Sequence, residues 1–315
     1  MMWFAKRVAL SLLLVWMVAT MAFGAIHLVP GDPAEIMLSE GGFAPDPSAV
    51  AALREELGLD RPLVEQYADW LRGLARGELG HSLLDQEPVD ELIGRRLPRT
   101  LELILAATVF AALVGVPLGV LAAVRRGGLL DRTLNGFAAV FDGMPVFVIA
   151  TLMILVLARQ LEWVSTGGYV PFAENPSAHV KLLMMPAIAI GLGFAAVVLR
   201  MTRAAVLDTL NRDFVRTARS KGASPLRILV HHALRNALMP VVTVVTLHMG
   251  AMLGGTVLTE FVFNWPGISS MMVDAVNSRD YPVVVGTLFV IAAIFVALNL
   301  AVDLLYGMID PRVRA

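Results

Sequence analysis

The chain has 315 residues, 57% hydrophobic and only 16% charged, with a formal net charge of −1 and no cysteine. Soluble domains run at roughly 45–50% apolar and about 25% charged residues, so this balance excludes an ordinary soluble protein and indicates a polytopic membrane protein. The lack of cysteine excludes a disulfide framework and a thiolate metal site. No G-x-x-x-x-G-K-[ST] loop is present to cradle a nucleotide.

Lys6-Arg7 precede a run from Val8 to Val29 free of Asp, Glu, Lys and Arg, about the ~20 residues a spanning helix needs. Ala22-Phe23-Gly24 has the look of a signal-peptidase site, but the run exceeds a signal core of ~7–15 residues, which favours a retained anchor over residues 1–29. Residues 30–99 are polar, with 14 acidic against 7 basic side chains. Helical periodicity over Pro47 to Leu57 and Pro62 to Leu74 predicts a small extramembrane helical domain. Leu57, Leu59, Leu63, Tyr67, Trp70 and Leu74 are its candidate core, too small to stand without resting on the membrane part. Its acidic surface serves either solvation or the docking of a soluble partner.

A second span is predicted from Thr100 to Val124, ended by Arg125-Arg126. A third, from about Leu134 to Ala158, is interrupted at Asp142-Gly143-Met144-Pro145. A fourth covers about Leu182 to Leu199, ended by Arg200; a fifth, about Met239 to Leu258; and a sixth, about Val283 to Leu305. The expected fold is therefore an all-α polytopic membrane protein with six transmembrane helices, a small external helical domain and a basic hairpin between the fourth and fifth spans. Lys and Arg concentrate on one side, which collects 15 of the 25. By the positive-inside rule, both termini and the hairpin are cytoplasmic and the acidic domain is external.

The hairpin, Asp213 to Pro240, reads as two short helices joined at a glycine. Leu210, Phe214 and Ala218 are expected on one face of the first, with Arg212, Arg216 and Arg219 on its polar side. Lys221-Gly222 is a helix stop, because glycine accepts the left-handed conformation of a C-terminal cap. Ser224-Pro225 is a restart, with Ser as N-cap and Pro at the first helical position. Leu226, Leu229, Val230 and Ala233 then follow helical spacing.

This hairpin resembles the EAA loop of binding-protein-dependent ABC importer permeases, here over about residues 201–238. The family's Glu-Ala-Ala, three residues and Gly stand as Arg216-Thr217-Ala218, Arg219-Ser220-Lys221 and Gly222, and the spacing reaches Leu234-Arg235. Arg at the first and closing positions, with a proline returning at Pro240, is similar to the first (B-type) permease of the dipeptide, oligopeptide and nickel importers. Other family-like stretches are His27 to Ala34, Leu57 to Leu63, Gly115 to Val120, Phe263 to Gly267, Arg279 to Val283, and Val302 to Arg312. They cover nearly the whole chain in order.

The resemblance implies a permease core over residues 100–315 that moves di- or oligopeptides, or small peptides such as glutathione, inward across a bacterial or archaeal inner membrane. It implies a second homologous permease, two ATPase subunits (or one fused), and an extracytoplasmic solute-binding protein as partners, with lipid around it and no nucleic acid. ATP and magnesium would sit on the ATPase subunits, leaving this chain with no cofactor, metal or catalytic residue. Phe214, Leu226 and Leu229 become candidates for the apolar side packed into an ATPase groove, with Arg216 and Arg219 at its rim, Ala218 allowing close approach and Gly222 making the turn.

The intramembrane polar residues are candidates for the pathway. Asp142 lies within the third span beside Gly143 and Pro145, which loosen backbone hydrogen bonding; an intramembrane carboxylate faces either a cavity or a partner group. His248, near Met249 and Met252, allows a soft metal path, although their spacing forms no tight coordination face. Glu260 is placed near the outer mouth, and Glu102 near enough to the boundary to be solvated. Asn299 and Asp303 are expected to bond to another span or to a partner permease. Within the family, nickel or a metal chelate is the alternative cargo. An ion-coupled secondary transporter using Asp142 and Asp303, or a membrane scaffold, is the alternative outside it.

Overall fold

Apolar runs longer than a bilayer's hydrocarbon core must satisfy their own backbone hydrogen bonds, so they fold as helices. The computed structural model describes residues 2–28, 33–38, 46–56 and 58–309. Leu57, the stretch from Val29 to Asp32 and the tail from Asp310 onward, each part of a family-like motif, lie outside the described residues. Four helices come first: α1 (Met2–Leu28), α2 (Pro33–Leu38), α3 (Pro47–Glu56) and α4 (Leu63–Arg76). After them come α5 (Val89–Val124), α6 (Leu129–Gly143), and α7 (Val146–Met153), which continues as a π-helical turn to Gln160. Then follow α8 (Pro176–Leu210), α9 (Asp213–Ser220), α10 (Pro225–Arg227, leading through a π-helical Ile228–Leu234) and α11 (Arg235–Gly255). The remainder is α12 (Val257–Val262), α13 (Ile268–Asn277) and α14 (Tyr281–Ile309). Among the described residues the only extended pairing is a single bridge between His81 and Pro88.

Among the described residues five helices are long and apolar enough to cross a membrane, and six spans result when α6 and α7 count as one, bent by 100° at their break. The expected interruption at Asp142 to Pro145 is therefore a sharp corner. Two expected boundaries are corrected. The fourth span does not end at Arg200 but runs to Leu210, and the fifth begins at Pro225, so the second arm of the hairpin and the span are one helix with Pro240 inside it. Arg200 reads as the end of the span because a charge within one is costly, and Arg203 follows about one turn on. In the fold each has a carboxylate partner within 2.6 Å, Asp142 and Asp131 respectively, so the helix passes through.

The chain divides into two units, Met1–Pro98 with Ile268–Ala315, and Arg99–Gly267. In the first, α1 packs along α14 and Arg7 pairs with Asp303. Asn299 instead bonds the Phe295 carbonyl one turn back, at 2.9 Å. Among the described residues the external segment closes no core around α4, which buries no residue completely and leaves Leu63 57% exposed. It leans on α1, where Tyr67 and Trp70 rest against Phe23 with ring centroids 5.2 and 5.6 Å away, and the Tyr67 hydroxyl meets Thr20 at 2.6 Å. Buried Val89, Ile93, Ile268, Met271 and Val283 form the core of this unit. The Arg279-Asp280-Tyr281 stretch has a structural task there: the buried Asp280 carboxylate accepts from the Ser82 hydroxyl and, at 3.1 Å, from the Leu83 N–H.

The second unit is organised on α8. Helix α5 lies against it at glycines: a Cβ on Gly115 would stand 2.7 Å from the Ala195 carbonyl oxygen, and one on Gly119 2.6 Å from that of Leu199. That is small-residue packing of membrane helices, where the backbones approach because nothing projects between them. It gives the Gly115 to Val120 motif its physical reason. On another side of α8, Ala138, Ala196 and Leu199 are buried between α6 and α8. A charged clamp joins the same two helices: Asp131 takes two bonds from Arg203, at 2.6 and 2.8 Å, with further bonds from the Gly127 N–H and the Asn135 amide.

Candidate functional site

In the hairpin, α8 stops at Leu210 and the chain turns through Asn211 and Arg212 before α9 begins. That break shifts the expected face. Leu210 and Phe214 do not lie on one continuous helix; the side chain of α9 that is buried is Val215, while Phe214 stays 41% exposed. Gly222, at φ +80°, makes the turn in the left-handed region that an L side chain rarely enters. The restart is as expected: Ser224 accepts from the Arg227 N–H at 3.4 Å, with Pro225 at the first helical position.

From there the two apolar faces separate. Ile228, Ala233 and Ala237 are buried, and Leu229 packs among Val206, Ala237 and Val120. Leu229 is therefore half-buried against the chain's own core, less open than Leu226. Leu226 is 71% exposed and Val230 47%, and with Phe214 they leave apolar side chains uncovered on a polar hairpin. Arg216 makes only an exposed pair with Asp213, at 3.3 Å, and Arg219, Lys221 and Arg227 have no ion-pair partner among the described residues. Exposed apolar side chains interspersed with cations are what a hairpin docking into a groove with carboxylates at its rim would present.

The second candidate lies at the α6–α7 break. Gly143 ends α6, Met144 is extended, and Pro145 precedes the first residue of α7. A cleft of about 300 Å³ opens there, lined by Phe141, Asp142, Met144 and Val146 at the break, by Ile190, Gly193, Phe194 and Val197 on α8, and by His248 and Met252 on α11. The fold thus brings Asp142 and His248 to one cavity. Pro145 itself is not on the wall but holds the corner. His248 sits edge-on to Phe194, with ring centroids 4.9 Å apart. Asp142 pairs with Arg200 at 2.6 Å, and neither side chain is fully covered. Arg200 had no sequence signal beyond its charge.

Glu260 does not line this cleft, and its side chain is enclosed. It is 0% exposed, and its carboxylate accepts from the Thr100 hydroxyl at 2.7 Å and the Thr256 hydroxyl at 3.1 Å. The break between α11 and α12 at Thr256 turns it inward, and Gly267 comes so close that a Cβ there would clash with the carboxylate. The Phe263 to Gly267 motif is the seat of this group, with Trp265 buried and donating from Nε1 to the Arg99 carbonyl at 3.0 Å. Glu102 is likewise engaged. It meets Nε2 of His179 at 2.6 Å, whose Nδ1 lies 2.7 Å from the Val170 carbonyl oxygen. His179, 1% exposed and ringed by Tyr169, Phe172 and Trp265, was not singled out by sequence because its partners are distant in the chain.

Comparisons with known proteins agree with this geometry. The family model described as binding-protein-dependent transport system inner membrane component matches residues 115–315, and its N-terminal companion matches residues 1–104. A probable peptide ABC transporter permease of Sinorhizobium fredii is 40% identical, covering 98% of this chain and 98% of its own. The dipeptide transport system permease DppB of Escherichia coli K12 is 39% identical over 94% of each chain. In fold, the chain is similar to a chain of the MetNI methionine ABC transporter, with a TM-score of 0.57 and 21% identity over 70% of this chain and 96% of the other. The chain belongs to the family of binding-protein-dependent transport system inner membrane components, the membrane-spanning permeases of ABC importers.

Proposed function

We propose that this chain is the permease subunit of an ABC importer that carries di- and oligopeptides, or small peptides such as glutathione, inward. Support for the cargo comes from relatives named for peptide transport at 39–40% identity over nearly the full length. The partners in this reading are a second homologous permease, two ATPase subunits or one fused, and an extracytoplasmic binding protein. The chain sits in the inner membrane with both termini and the hairpin in the cytoplasm, as the distribution of Lys and Arg favours. Residues 1–29 form the anchor, 30–99 the external insertion and 100–315 the core. No cofactor or catalytic residue belongs to the chain; ATP and magnesium bind the ATPase subunits.

The observation that carries the mechanism is the uncovered face of the hairpin. Phe214 with Arg216 and Arg219 on α9, and Leu226 with Arg227 on α10, stand exposed on a hairpin whose far arm continues into a membrane span. Closure of the ATPase dimer would push α9 and α10, and the continuous helix from Pro225 to Gly255 would carry that movement to the cleft at Asp142 and His248. The test is peptide uptake into vesicles holding the complete complex. Gly222→Val is expected to abolish coupling, so that uptake falls at least tenfold while the complex still assembles. Unchanged uptake would remove the hairpin from the mechanism, and uptake persisting without the ATPase subunits would replace the ABC reading with an ion-coupled one.

A further inference from the structure

Resting on the peptide-import reading, one feature of the cleft goes further. An ion pair inside a membrane-spanning region is costly to desolvate and stays only where its geometry or its task compensates. The two ion pairs between α8 and the α6 segment differ in kind. Asp131 is 5% exposed, takes two bonds from Arg203, and has Gly127 and Asn135 as further donors, so it is a closed clamp. Asp142 takes one bond from Arg200, with the two side chains 37% and 42% exposed, and it lines a cavity. A structural strut has no need of open, singly bonded charges beside a cleft when a satisfied clamp lies three residues further along α8.

We propose that Asp142 and Arg200 form an exchangeable pair that reads the two charged ends of a short zwitterionic peptide. The cargo ammonium takes over Asp142 and its carboxylate takes over Arg200, so that each charge of the pair swaps one partner for another of the same sign. The swap leaves no unpaired charge in the cleft, which lowers the cost of drawing a doubly charged molecule through a low-dielectric passage. Arg200 can follow the cargo because its guanidinium sits on a long stem and offers several donors in a planar fork. Size fits the same class. About 300 Å³ is at the lower end of ligand cavities, roughly 300–1,000 Å³, which suits peptides of a few residues. Phe141, Phe194 and Met252 supply an apolar wall indifferent to side-chain identity.

The experiment uses the complete complex in vesicles, supplied with binding protein and a mixed pool of unmodified di- and tripeptides, with imported species read by mass spectrometry. Asp142→Asn and Arg200→Gln are each expected to cut uptake about tenfold while binding-protein-stimulated ATP hydrolysis and the thermal midpoint of the complex stay near wild type. Asp142→Glu and Arg200→Lys, which keep the charges, are expected to retain most of the uptake. Wild-type uptake in both neutral variants would overturn the proposal. So would a parallel fall of uptake, ATP hydrolysis and thermal midpoint, which would make the pair a strut. A wild-type complex that hydrolyses ATP but imports no peptide would overturn the peptide reading as well, whereas uptake in wild type and variants alike overturns only the role of the pair.

Discussion

Gly267 owes its identity to Glu260. The carboxylate is fully buried and lies where the methyl of an alanine would have to be. Gly267→Ala is therefore expected to lower the stability of the purified chain in detergent by about 1–3 kcal/mol, the usual cost of overpacking, visible as a lower thermal midpoint. Asp131 gives a second measurement. Removing its charge leaves Arg203, 27% exposed, without its carboxylate. Asp131→Asn is expected to lower the thermal midpoint of the purified chain, by less than breaking a fully buried pair would because water still reaches the guanidinium. At this scale sequence was least informative. It marked Asp142 as unusual because a charge in a span is costly and put Glu260 near the outer mouth, yet it could not say that Glu260 is enclosed against Thr100 and Thr256 while Asp142 is open to a cleft.

At the scale of elements, the contact of α5 with α8 makes a prediction with its own control. Gly119→Ala places a Cβ 2.6 Å from the Leu199 carbonyl oxygen, whereas Gly136 on α6 has nothing within 4 Å of the same position. Gly119→Ala is expected to lower the yield and thermal midpoint of folded protein, and Gly136→Ala to leave both unchanged or gain up to ~1 kcal/mol of helix propensity. The elements themselves were largely legible, since apolar length and turn chemistry are local properties. The stop at Gly222 and the restart at Ser224-Pro225 followed from the residues alone. The departures were at ends: α8 continues through Arg200 because the Asp142 carboxylate on α6 neutralises it, and Leu210 and Phe214 share no continuous helix because α8 and α9 are separate.

For the whole molecule, the proposed topology can be tested directly because the chain has no cysteine. Single substitutions Ser224→Cys in the hairpin and Asp85→Cys in the external insertion both fall at exposed positions. In intact cells stripped of an outer barrier, an impermeant maleimide is expected to label Asp85→Cys and to reach Ser224→Cys only after the membrane is opened. The reverse pattern would invert the assigned orientation.

What the sequence by itself determined is the membrane class, the apolar runs that form the spans, the hairpin with its glycine turn, and the family resemblance that the comparisons match. All of these are written in composition and in spacings of a few residues. Only the tertiary structure decided which polar groups meet. Asp142 and Arg200 are 58 positions apart, Asp131 and Arg203 72, and Thr100 and Glu260 160. Such pairs leave no periodic trace in one sequence, because each helix satisfies its own backbone and is free, until packed, to present any face to any neighbour. Packing on α8 removes that freedom, and with it fixes which charge is clamped and which stands open at the cleft.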